Sequence, residues 1–136
     1  MFKFIKKYLP TLSIIAGITL LSVLNFNDVP VKPKLPGFDK LVHFGMYTVC
    51  SYIFMLDLAR RNRKDKYHLL IYALIAFAGA VVTGGVLEIV QDCFIPGRVG
   101  DWWDFAANSA GALTGVCAGY LFLKTVYPHV KKRMIK

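Results

Sequence analysis

Acidic residues are few in this chain: eight in 136 positions against 17 lysines and arginines, giving a formal net charge of +9. Cysteine and histidine are scarcer still, at three each. Three cysteines do not build a disulfide scaffold. Cys50 and Cys117 fall in the middle of apolar runs, where a thiol acts as a small apolar side chain; Cys93 stands at the end of another run. His68 and His129 sit among basic residues, which leaves a metal site only His43 plus carboxylates, so no metal or cofactor is expected. No serine or cysteine stands with an obvious base, which argues against a covalent acyl intermediate. There is no internal repeat, no low-complexity stretch and no lipidation motif. No small-x-small cleavage pattern follows the first apolar run, which therefore reads as an uncleaved span.

Apolar residues are abundant. They make up 56% of the chain, and the mean hydropathy is +0.49. Four apolar stretches cover about Tyr8–Leu24, Leu41–Ala59, His68–Val90 and Phe105–Leu123. Each approaches or exceeds the roughly 17–25 residues of a spanning helix. The reading is an all-α membrane protein of one domain, residues 1–136, with four transmembrane helices. Thirteen of the 17 cationic residues lie before the first stretch, between the second and third, or after the fourth; only Lys32, Lys34, Lys40 and Arg98 lie opposite. The positive-inside rule then puts both termini in the cytoplasm, in a multi-pass protein of the cytoplasmic (inner) membrane. Basic clusters beside spans attract anionic headgroups, so the charge does not call for nucleic acid.

The first outer connection, Asn25 to Phe38, holds Pro30, Pro33, Pro36 and Gly37 and reads as an extended linker. Asp39 follows at a natural N-cap position. The second, Asp92 to Trp103, contains the turn signal Pro96-Gly97; Trp102 and Trp103 suit the membrane interface, and Asp104 is placed to cap the fourth helix. Function concentrates on this outer side. Asp39 and His43 are four apart, Glu88 and Gln91 three apart, and Asp104 and Asn108 four apart, so each pair shares a helix face. Polar groups at the ends of membrane-length helices need partners or a polar cavity. With Arg98 from the loop, they form the candidate site at the extracytoplasmic helix ends.

Each residue has a structural and a functional reading. Glu88 bridges to Arg98 or caps a neighbour, or it is an acid/base or ligand-binding group. His43 is a satisfied structural histidine, or a proton relay opposite Glu88 or Asp104. Arg98 neutralises acids, or holds phosphate or carboxylate in its planar fork. Glu88, His43 and Asp104 are the catalytic candidates. Arg98, Gln91, Asn108 and Asp39 are the ligand-binding candidates. Asp101 reads as a loop surface residue and Asp57 as a local ion pair with Arg60 or Arg61. The ladder Gly111-x-x-x-Gly115-x-x-x-Gly119 permits close helix approach, first of all inside the monomer.

Taken in order, Asp39-Lys40-x-x-His43-Phe44, Glu88-x-x-Gln91, Pro96-Gly97-Arg98 and Asp104-x-x-x-Asn108-x-x-Gly111-x-x-x-Gly115 resemble the VanZ-like family of small bacterial membrane proteins, over about Phe38 to Leu123. The resemblance implies a four-helix membrane domain. It also implies an association with glycopeptide (teicoplanin) resistance, without an established biochemical activity. Two functions are expected from different classes. One is an outward-facing site that binds or modifies a membrane lipid or a lipid-linked cell-wall precursor. The other is a non-catalytic membrane partner for an envelope enzyme.

Overall fold

Residues 2–23, 37–61, 68–95 and 100–126 of the chain are described by a computed structural model. Among them are four α-helices and no strand: α1 (Phe2–Val23), α2 (Phe38–Arg61), α3 (Leu69–Phe94) and α4 (Trp102–Leu121), the last continuing into a π-helical turn, Phe122–Val126. Three are long and apolar enough to cross a membrane: Phe38–Arg60, Leu69–Phe94 and Trp102–Val126. The apolar part of α1, Tyr8–Ser22, is shorter.

The distribution of side chains is the reverse of a soluble bundle. α3 turns Ala73, Ala76, Ala80, Gly84 and Leu87 inward and leaves Leu70, Leu74, Val82, Val86 and Ile89 exposed. Small residues inside and branched ones outside is the pattern that lipid permits, because helix association there depends on close packing rather than on hydrophobic burial. Backbone and hydroxyl groups are satisfied locally. Thr19, Thr48, Thr83, Ser109 and Thr114 each donate to the carbonyl four residues earlier, at 2.7–2.9 Å.

α2 and α4 form the tightest pair. The glycine ladder faces α2: a β-carbon at Gly111 would run into the Phe44 carbonyl, one at Gly115 into the Thr48 carbonyl and the Ser51 hydroxyl, and one at Gly119 would lie 3.2 Å from the Met55 sulfur. Packing within the monomer is therefore what this ladder does. Ser51, fully buried, lies 2.9 Å from the Ala112 carbonyl across the contact and 2.8 and 3.3 Å from the Tyr47 and Thr48 carbonyls of its own helix, so its single proton has three acceptors in reach.

α1 is fastened by a polar device that local spacing did not reveal. Pro10 lies inside the helix and removes one backbone donor while crowding the preceding turn. The next residue, Thr11, turns its amide (3.3 Å) and hydroxyl (2.7 Å) to Asp57 Oδ2 on α2. Asp57 is 4% exposed and makes a buried tie between helices; of its expected arginine partners, the Arg61 side chain lies outside the described residues.

Candidate functional site

Gly37 immediately precedes α2; its φ of 80° suits glycine, and its carbonyl accepts the first helical bond, from the Leu41 amide at 3.1 Å. Asp39 thus lies inside the first turn rather than at the cap. It is exposed, and its carboxylate pairs with the adjacent Lys40 at 3.3 Å.

Lys40 does more. Its ammonium lies 2.8 Å from Asp101 Oδ2 and 3.0 Å from Asp104 Oδ1, joining the start of α2 to the start of α4. One turn on, His43 Nδ1 lies 3.1 Å from Asn108 Oδ1, and its Nε2 lies 3.9 Å from Asp104 Oδ2. The Asn108 amide donates to Glu88 Oε1 at 3.3 Å, and the Asp101 backbone amide donates to Glu88 Oε2 at 3.3 Å. Lys40, Asp104, His43, Asn108, Glu88 and Asp101 therefore close a ring across the ends of α2, α3 and α4.

The ring assigns proton positions. An ionised Glu88 only accepts, so Asn108 turns its NH₂ to Glu88 and its carbonyl to His43. His43 then donates from Nδ1, and Nε2 is left facing Asp104. As a neutral ring, His43 offers Asp104 a lone pair; as imidazolium, it offers a proton. That coupling of ring charge to Asp104 is the property a relay requires.

Asp101, not Asp104, caps α4. Its side chain accepts from the Trp103 amide at 2.8 Å, and its carbonyl accepts from the Asp104 and Phe105 amides at 2.9 and 3.1 Å. The hydrogen bonds from Lys40 first, and from the Trp103 amide second, hold the Asp101 carboxyl below the usual carboxylate range. Asp104 falls in the first turn, where a carboxylate is still favoured by the free amides.

Gln91 is turned elsewhere. It is buried at 4% exposure and donates to the Ser22 carbonyl on α1 at 3.0 Å, so it ties α1 to α3. Arg98 lies outside the described residues. The structure thus brings His43, Glu88, Asp104 and Asn108 together, sets Asp39 at the edge and Gln91 behind, and adds Lys40 and Asp101. The signal for Lys40 was available, since it is the only cation within the Asp39–His43 turn. Asp101 carried none that distinguished it from a surface loop acid.

Beside the ring, α3 and α4 enclose an open cleft of about 360 Å³. Its lining combines Glu88, Asp92, Gly100 and Asp101 with Gly85, Ile89, Trp102 and Phe105. Asp92 is held in place by the Gly100 amide at 3.1 Å, and the Trp102 and Phe105 rings meet edge to face with centroids 6.2 Å apart. Trp102 and Trp103 are 83% and 72% exposed, which places two indoles at one end of the apolar helices. Among the described residues no group of three or more His, Cys, Asp or Glu side chains is arranged to hold a metal ion. The chain matches no protein-family model, no curated protein and no solved structure.

Proposed function

We propose that this is an integral protein of the bacterial cytoplasmic membrane, of the VanZ-like type, with four spans and both termini in the cytoplasm. The ring at the helix ends then faces outward and serves an amphiphile of the cell envelope, such as a membrane lipid or a lipid-linked cell-wall precursor. The observation that carries the reading is the cleft, whose lining combines Glu88 and Asp101 of the ring with Ile89, Trp102 and Phe105. Such a cleft suits a molecule with a polar head and an apolar tail.

In this reading Glu88 or Asp104 is the base, His43, whose Nε2 faces Asp104, is the proton relay, and Asn108 is an orienting donor to Glu88. Arg98, carried from the sequence, supplies a cationic arm for an anionic portion of the ligand. A role in glycopeptide (teicoplanin) resistance follows from the resemblance and belongs to the same proposal.

A second reading has its own support. The ring satisfies much of its own hydrogen bonding, and Lys40 joins α2 to α4 without a ligand. A non-catalytic partner of an envelope enzyme would use the ring as a lock between helices. Conservative substitutions separate the two. Glu88→Gln, His43→Asn and Arg98→Lys should abolish the phenotype restored by the wild-type gene in a deletion strain, at unchanged protein level, if the site binds or converts a ligand. Full restoration by all three would favour the lock.

A further inference from the structure

One turn beneath the ring, Tyr47 follows His43 by four residues on α2 and is 1% exposed. Its phenolic oxygen is the one buried side-chain nitrogen or oxygen among the described residues that meets no hydrogen-bond partner. The buried apolar residues clustered with it, Ile18, Cys50, Ala80, Leu87 and Ala112, offer it no oxygen acceptor from their side chains. Burying an unpaired hydroxyl is destabilising, so an orphan of this kind calls for a functional explanation.

Its surroundings supply one. Position 84 is glycine, one turn before Glu88 on α3. A β-carbon there would stand 3.4 Å from Tyr47 Cε1, the ring carbon beside the hydroxyl-bearing one, and 3.4 Å from Asn108 Nδ2. The hydroxyl edge of Tyr47 and the amide of Asn108 therefore meet over the same backbone position, and that amide donates to Glu88 Oε1. Both bonds that Glu88 accepts are long, at 3.3 Å, so a carboxylate with about four acceptor sites keeps capacity for a further donor.

We infer that Tyr47 is the floor of the site and that its hydroxyl donates to an O–H group which in turn donates to Glu88. The chemistry selects that group. A phenol donates and an ionised carboxylate only accepts, so the bridging group must accept from one and donate to the other. An ammonium has no lone pair to accept with, and an ionised phosphate oxygen has no proton to give. An alcohol does both, and so does water. The ligand class is a hydroxyl-bearing headgroup, of the glycerol or sugar type, with water as the alternative source of the same chemistry. The choice of an amphiphile's hydroxyl rests on the outward-facing site proposed above; the Tyr47 hydrogen bond itself does not.

The test compares the wild-type full chain with Tyr47→Phe, which removes only the oxygen. Both are equilibrated with equal amounts of a glucosyl diacylglycerol and a phosphatidylcholine of the same acyl chains. Retained lipid is read by native mass spectrometry, thermal midpoint in detergent, and O–H stretching bands in H₂¹⁸O by infrared difference. The expected result is that wild type favours the glucosyl lipid and Tyr47→Phe loses that preference by about threefold to tenfold, the worth of one hydrogen bond, without gaining stability. If wild type shows no lipid preference, but an ¹⁸O-sensitive band disappears in Tyr47→Phe and its midpoint falls, the occupant is water. The floor assignment then stands and the amphiphile reading fails. If Tyr47→Phe keeps the lipid ratio and the bands while its midpoint is unchanged or raised, the hydroxyl is an unused buried group and the inference is overturned.

Discussion

Asp101 combines three contacts in one residue: its side chain caps α4, its amide supports Glu88, and its carboxylate receives Lys40. Because its carboxyl is held below the usual carboxylate range, the folded state gains from its ionisation. A depressed folded value means that this stabilisation is present above the unfolded carboxylate range and is lost as pH falls through the folded value. Asp101→Asn keeps a competent cap but no charge. The thermal midpoint of wild type should exceed that of Asp101→Asn at neutral pH, and the difference should close in acid; a constant offset across pH would contradict the assignment. The buried tie of α1 gives a second residue-level prediction. Thr11→Val is close to isosteric yet takes the 2.7 Å donor from a carboxylate that is 4% exposed. It should destabilise the protein by about 1–3 kcal/mol, read by detergent unfolding.

Helices and their contacts were the most legible part of the sequence. Long apolar runs mark the helices and the small-residue ladder marks the face α4 packs with, while the expected proline-rich linker and Pro96-Gly97 turn lie outside the described residues. What stayed hidden is the direction in which a helix turns its polar residues. Glu88 and Gln91 share a broad face, but three residues are offset by about 60° around a helix. That offset sends Glu88 to α4 and Gln91 to α1. Lys40 meets Asp101 and Asp104 from more than 60 positions away, and no local period encodes such a meeting. The ladder also makes a prediction. Gly111→Ala and Gly115→Ala place a methyl against backbone carbonyls that have no freedom to rotate away. Each should lose about 1–3 kcal/mol of stability and weaken the α2–α4 contact. Gly17→Ala and Gly45→Ala meet nothing within 4 Å and should be neutral or stabilised by up to about 1 kcal/mol through helix propensity. Thermal midpoints of the four variants, measured side by side, check the contrast.

For the molecule as a whole, charge is divided along the helices. Under the proposed topology, 13 of 17 cations lie on one side with Asp57 and Asp65, while the other six acids share the opposite side with four cations. The polar ring lies on the acid-rich side, so its access to envelope molecules depends on that side being outside. Cys93 is exposed at the same end of α3 as Glu88 and serves as a native reporter. In intact cells, a membrane-impermeant maleimide should label Cys93 in a chain whose other two cysteines are replaced by serine. It should leave a Lys64→Cys variant of a cysteine-free chain unlabelled until the membrane is opened. Labelling of the position 64 cysteine in intact cells, with Cys93 protected, would place the ring in the cytoplasm and contradict an envelope-facing site.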